Sequence, residues 1–361
     1  MDMETFARTY VDGHGFARSE TFPDTIWRAL AAAGLFRIGL PQQHGGSDGG
    51  YAAIAAGEQA LAQHGGVLGL TMSWTGHQLV ARHCLVGFAS PTQCAHWLPR
   101  IADGSSTASV AISEPGVGAH PRDLKTVARR DGTDWLIDGE KAWVTNGPIA
   151  DLFVVLAITS VASDRKRYSA FLVPRGTDGL ALLDMPPLPA LRPSPHCRLR
   201  LSGCRVPAGS MLGPPDIAYE TMALPFRDIE DAVGVSGICG LADHILRGLA
   251  AIAGPAALPE LQSRIGEIAG LLALLRHAAH ELAVRLDAGN IAPHDESLLI
   301  GARALTRHIV GCLERLRDHL APQDPDLLAA CADLAFTLDI ARGPRAIKQA
   351  RLGAARLRPT L

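Results

Sequence analysis

The spacing of apolar residues changes character twice along the chain, and that change constrains the fold more than any other feature. From about residue 23 to residue 98, apolar side chains recur at helical spacing, as in Ile26, Leu30 and Ala33 and again in Ala53, Ala56, Ala60 and Leu61. Gly45-Gly46 and Gly49-Gly50 break this region. Between about residues 106 and 212 the pattern becomes a series of short β-type runs at 109–113, 135–137, 142–145, 153–157, 170–173 and 198–201. Asp138-Gly139 lies between two such runs and predicts a two-residue hairpin turn. After Gly213-Pro214-Pro215 the helical period returns. One stripe runs through Leu261, Ile265, Ile268, Leu272, Leu275, Ala279, Leu282 and Leu286, and a second through Leu298, Ala302, Leu305, Ile309, Leu313, Leu316 and Leu320. A third helix is expected at Asp324-Pro325, an N-cap followed by Pro at the first helical position. The expected organisation is an α+β protein: a helical domain over 1–105, a β domain over 106–213 and a helical bundle over 214–361.

Composition narrows the function classes. With 361 residues, 47% of them apolar, the chain is long enough for two or three domains with their own cores, and disorder is excluded. A net charge of −2 leaves no electrostatic footprint for nucleic acid or an anionic membrane. The locally basic run of Arg342, Arg345, Lys348, Arg351, Arg356 and Arg358 is expected to be a solvated helix face. Seven scattered cysteines show no C-x-x-C pair and no zinc spacing, so no metal site is expected and a reducing cytoplasm fits. The start, Met1-Asp2-Met3-Glu4, lacks the features of a signal peptide, and no apolar run approaches the roughly 18–20 residues that span a bilayer. A cytoplasmic location is expected.

Two segments carry the chemistry. The stretch Ala111-Ile112-Ser113-Glu114-Pro115-Gly116-Val117-Gly118-Ala119-His120 ends a strand in a Gly-rich turn, where backbone N–H groups and a hydroxyl could face an anion or a heteroaromatic ring. Alone it reads more readily as an ordinary Pro-Gly turn between strands, and it is not a G-x-G-x-x-G fingerprint. Asp138-Gly139-Glu140-Lys141-Ala142-Trp143-Val144-Thr145-Asn146-Gly147 follows, whose Trp alone would read as core.

The two segments together, in this order, resemble the flavin-binding middle domain of the acyl-CoA dehydrogenase family. Glu58 to Leu61, Trp97-Leu98-Pro99 before Ala102-Asp103-Gly104, Leu191-Arg192-Pro193-Ser194, Val206-Pro207 and Leu212-Gly213 are similar to other parts of that family. The resemblance implies an N-terminal helical domain, a middle β-barrel or sandwich and a C-terminal four-helix bundle. It implies FAD as cofactor, with Val110, Ile112, Ser113, Trp143, Val144 and Thr145 around the flavin ring, and Ser113 and Thr145 donating hydrogen bonds to it. Gly118, Ala119, Arg227 and Asp228 would lie on the substrate side. The implied reaction removes the α-proton of an acyl-CoA or acyl-carrier thioester while the β-hydrogen leaves as hydride to flavin N5. Implied partners are an electron-transfer flavoprotein, if the enzyme is a dehydrogenase, and further copies of the chain in a homodimer or homotetramer.

The chain departs from the family's pattern in places. The Glu that most members carry near the C-terminus is missing, since the last acidic residue is Asp339. A minority place the base on the first long helix of the C-terminal domain, at a position matching Glu230. The competing reading makes Asp228, Glu230 and Asp231 the acidic first turn of a helix. Asp231 stands where the family usually has Arg, and a second carboxylate there is expected to raise the pKa of the first. The Arg-Phe-Gly and Gly-Gly-x-Gly-Phe stretches that grip the FAD pyrophosphate are absent, which leaves Arg247 or Arg264 as substitutes. A non-catalytic binding subunit and a flavin-dependent oxidase or monooxygenase on the same fold remain alternatives.

Overall fold

A computed structural model describes residues 1–186, 188–289 and 295–357. Helices α1 (Met3–Tyr10), α2 (Asp24–Ala32), α3 (Tyr51–Gly65), α4 (Leu68–Leu79), α5 (Val86–Phe88) and α6 (Pro91–Ala102) form the N-terminal region. Local signals start some of them. Ser90 and Gln93 form a reciprocal capping box ahead of Pro91 in α6, with Ser90 N donating to Gln93 Oε1 at 2.8 Å and Gln93 N to Ser90 Oγ at 3.3 Å. Helix α3 has no cap of its own; its first amides, Tyr51 N and Ala52 N, donate to the Asp287 carboxylate at 2.6 and 2.9 Å. Gly50 makes room for it, because a Cβ there would lie 2.0 Å from Asp287 Oδ1.

The middle region holds strands β1 (Ala108–Ala111), β2 (Val127–Asp131), β3 (Asp134–Thr145), β4 (Leu152–Ala162), β5 (Arg165–Pro174), β6 (Leu180–Asp184), β7 (His196–Val206) and β8 (Met211–Leu212). They join in the order β6-β7-β3-β2-β4-β5-β8, with β1 pairing parallel to β4. The predicted hairpin at Asp138-Gly139 is not a turn. Both residues lie inside β3, at a bulge in its pairing with β7, and Asp138 instead accepts the Gly203 amide at 2.6 Å. The real β2–β3 turn is Asp131 to Asp134, with Gly132 at φ 61°. Strand β4 is apolar and buried from Leu152 to Ile158, where it is covered on both faces. Phe153, Val155 and Ala157 point into the β core with Ile137, Phe171 and Leu199, while Leu152, Val154 and Leu156 join the core shared with the helices.

A π-helical turn, Tyr219–Ala223, leads into α7 (Leu224–Ala253), followed by α8 (Pro259–Asp287), α9 (Asp295–Leu320), α10 (Pro325–Phe336) and α11 (Arg342–Arg356). The two long stripes fall on α8 and α9, and Asp324 caps α10 by accepting Asp326 N at 2.9 Å. Residues Tyr219–Ala253 are long and apolar enough to cross a bilayer, contrary to the expectation from sequence. Their apolar surface is instead spent on packing against α3, α4, α8 and α9, as in a core helix. The basic final segment is not simply solvated. On α11, Lys348 turns inward onto Asp228 and Asp231, and Arg345 onto Asp231, whereas Arg356 is exposed and Arg358 lies outside the described residues.

Candidate active site

A cavity of about 530 Å³ lies where the β region meets α4, α7, α9 and α11. Its β wall comes from the two segments singled out in the sequence. Val110, Ile112, Ser113, Trp143 and Thr145 line it, together with Ala119 and Asn146. The ladder between β3 and β7 shifts register between Lys141 and Val144, and Trp143 takes φ 58° there, an unusual conformation for a bulky residue. That bulge turns the indole outward, with the residue 52% exposed, while the Trp143 backbone amide donates to Met185 Sδ at 3.3 Å. Val144, next along, points the other way and is fully buried in the β core, so its side chain does not reach the cavity.

A buried ion pair holds this wall in shape. Lys141 Nζ, wholly buried, donates to Glu114 Oε1 at 3.0 Å and to Ile112 O at 3.1 Å. Glu114 also accepts Lys125 N at 2.7 Å and Thr126 N at 2.9 Å, so one carboxylate closes the loop that follows β1. Burial alone would push the Glu114 pKa up, but Lys141 and Thr126 outweigh it and hold it below the usual value. Burial lowers Lys141 to about 8 against the pull of Glu114. Ala142 N donates to Ser113 O at 2.9 Å, tying the two segments directly. The Ser113 hydroxyl makes no hydrogen bond among the described residues and faces the cavity. Thr145 Oγ1 lies 3.1 Å from His196 Nε2, and His196 Nδ1 lies 3.1 Å from Ser194 O.

Glu230 stands on α7, across from this wall. It lies more than one turn inside α7, whose first turn carries no acidic residue, so the reading of an acidic helix start fails. The area it presents is cavity wall: it is exposed by surface yet enclosed by protein, and its carboxylate accepts no hydrogen bond among the described residues. That enclosure, and then the negative charge of Asp231, push its pKa up to about 8, with Arg227 opposing. The expected effect of Asp231 is therefore present. Its charge is nevertheless balanced, since Arg303 and Arg345 both ion-pair with it.

The remaining expected residues divide. Arg227 and Ala119 line the cavity, while Gly118 and Asp228 do not, Asp228 being engaged by Lys348. Arg247 pairs with Asp243 and donates to Gln63 O, and neither it nor Arg264 lines the cavity. Helix α10 carries Asp333, whose carboxylate accepts Leu191 N at 2.6 Å. Sequence reasoning missed Glu58, Arg303, Arg307 and Arg342, all of which line the cavity. Glu58 carried a signal, a lone charge on a helix face otherwise made of Ile54, Ala55, Leu61 and Ala62. Arg303 and Arg307 carried none, because only folding brings α9 to α7, and Arg342 stood in the basic run expected to be a solvated face.

Residues 109–204 match the model of the acyl-CoA dehydrogenase middle domain, and residues 3–105 match that of the acyl-CoA dehydrogenase N-terminal domain. Together these cover more than half of the chain, which belongs to the acyl-CoA dehydrogenase family. It is 29% identical to mitochondrial isovaleryl-CoA dehydrogenase of Pongo abelii over 61% of this chain and 52% of that one. It is 30% identical to mitochondrial short-chain specific acyl-CoA dehydrogenase of Homo sapiens over 56% of this chain and 49% of that one. The chain thus matches about half the length of these relatives. Its fold is that of butyryl-CoA dehydrogenase from Megasphaera elsdenii, with TM-score 0.85 and 17% identity over 99% of this chain and 96% of that one. The prolyl acyl carrier protein oxidase AnaB gives TM-score 0.84 and 20% identity over 99% and 97%.

Proposed function

We propose that the chain is an FAD-dependent oxidoreductase that removes the α-proton of an acyl thioester with Glu230 and delivers the β-hydrogen as hydride to the cofactor. The observation that carries this reading is the unpartnered Glu230 carboxylate facing the wall of Ser113, Trp143 and Thr145 across one cavity.

The residues fit the cofactor's ring. An exposed indole on a strained bulge gives a flat apolar surface, and the free Ser113 hydroxyl and the buried, unpaired Asn146 Oδ1 give polar contacts beside it. Bound there, FAD supplies a hydride acceptor that the side chains themselves cannot provide. The Ser113 hydroxyl would donate to the ring, and such a donor would stabilise the negative charge that reduction adds. Thr145 shares its hydroxyl with His196, which burial holds neutral. Arg307 and Arg342, both exposed and lining the cavity, are the cations placed to meet phosphate in the absence of the family's usual anchors.

Glu230 accepts the proton. A base with pKa near 8 binds a proton more firmly than an ordinary carboxylate. Arg227, one turn earlier on α7, lies close enough to favour the ionised form. The test is exchange of the thioester's α-hydrogen with deuterated water, which reads proton removal apart from hydride transfer. The parent protein should exchange with a rate that rises with pH through about 8, and Glu230→Gln should lose at least ~100-fold, the scale of general-base catalysis. An unchanged rate in Glu230→Gln would remove Glu230 from the mechanism.

A further inference from the structure

The last residue of β3 and the first of β7 stand opposite each other in the ladder, Thr145 against His196. Thr145 lines the cavity, and its hydroxyl oxygen lies 3.1 Å from His196 Nε2. The other ring nitrogen, Nδ1, lies 3.1 Å from the Ser194 carbonyl oxygen. A carbonyl only accepts, so this bond exists when Nδ1 carries the proton. The segment that holds the carbonyl is itself tied down. Ser194 N donates to Leu191 O at 2.9 Å, Asn146 N to Pro195 O at 2.8 Å, and Ser73 Oγ to Ser194 Oγ at 3.2 Å.

Burial lowers the His196 pKa below its ordinary value, with the Ser194 bond opposing, and no ion pair involves His196 among the described residues. The neutral ring has one N–H. With that proton on Nδ1, Nε2 is a bare lone pair, and the Thr145 hydroxyl has to donate to it. The Thr145 proton is thus committed to His196, and only the oxygen's lone pairs remain for the cavity. Asn146, the next residue, is fixed in the same sense. Its Nδ2 donates to Ser73 O at 2.7 Å, which leaves Oδ1, buried and unpaired, as an acceptor on a residue that lines the cavity.

We propose that His196 is a positioning residue that turns the Thr145 hydroxyl proton away from the cavity, so that Thr145 accepts a hydrogen bond from the flavin ring and favours its reduced form. The inference rests on the FAD reading above, and it gives Thr145 the opposite role from the donor that the family resemblance implies. Reduction converts a bare nitrogen of the ring, an acceptor, into an N–H donor. An acceptor placed against the ring gains a partner by that change, whereas a donor loses one.

Two measurements test it. In the FAD-free protein labelled at its histidine nitrogens, a long-range proton–nitrogen correlation spectrum at neutral pH should show His196 with Nδ1 protonated and Nε2 bare. The signal is assigned by its absence from His196→Gln. In the FAD-loaded protein, His196→Leu frees the Thr145 proton to point at the ring and should lower the midpoint potential. The oxidised–reduced equilibrium should move about tenfold, the worth of one hydrogen bond, which is about 30 mV for a two-electron couple. His196→Gln, whose amide oxygen can accept the Thr145 proton, should stay near the parent. In a Thr145→Val background His196→Leu should change nothing, because His196 acts through Thr145. A proton on Nε2, an unchanged potential in His196→Leu, or the same shift with and without the Thr145 hydroxyl would each overturn the inference while leaving the FAD reading intact. A protein that retains no flavin would overturn both.

Discussion

Individual residues set the shape of the β wall through one buried charge pair. Lys141 and Glu114 are each close to fully buried, and between them they satisfy two loop amides and the Ile112 carbonyl. Removing one member leaves the other charge desolvated and unpaired, which typically costs about 3–5 kcal/mol. Lys141→Met is therefore expected to lower the unfolding free energy by about that amount in urea titration. Adding Glu114→Gln should recover part of the loss, because the remaining buried group is then neutral. Both residues stood inside the motifs read from sequence without a role. Their spacing gave no sign that they meet, since 26 positions of intervening chain, including a loop and a hairpin, bring them together.

At the scale of elements, the helices and strands follow from periodicity and caps, while their junctions depend on distant partners. The stripes on α8 and α9 and the Asp324 cap of α10 were legible because each is a local pattern. Asp138-Gly139 misled because its turn chemistry equally suits a bulge, and the choice was made by β7, whose Gly203 amide takes the Asp138 carboxylate. The cap of α3 was invisible for the same reason: it comes from Asp287, at the far end of α8. Asp287→Ala should destabilise the protein by about 0.5–2 kcal/mol, the usual worth of a helix cap. Hydrogen exchange should show the lost protection first at Tyr51 and Ala52. Unchanged protection there would mean the contact contributes nothing to holding α3 against α8.

Across the whole molecule, the cavity joins elements from all three regions of the chain, so its wall could be read from sequence only where a motif lay on one strand. Ser113, Trp143 and Glu230 were found because the resemblance to the family reaches them, whereas Glu58 and the arginines of α9 and α11 enter only through packing. Two carboxyl groups on this cavity, Glu58 and Glu230, are raised from the usual 4.5 to about 8. The unfolded chain loses those protons near 4.5 and the folded chain near 8, so their contribution to stability is full below the lower value and is lost as pH rises through the higher. The buried Glu58 should subtract up to about 1.4 kcal/mol per pH unit across that window, and Glu230, which is exposed to the cavity, less because solvent screens it. Glu58→Gln should flatten the fall in unfolding free energy correspondingly. An equally steep fall in that variant would show that Glu58 is ionised in the folded protein well below pH 8.

The measurement that bears most directly on the central claim is the visible spectrum of the protein after incubation with FAD and gel filtration, followed by anaerobic addition of an acyl thioester. The account predicts a retained flavin band that bleaches with thioester in the parent protein and persists in Glu230→Gln. A colourless protein, or a variant that bleaches as fast as the parent, would contradict it.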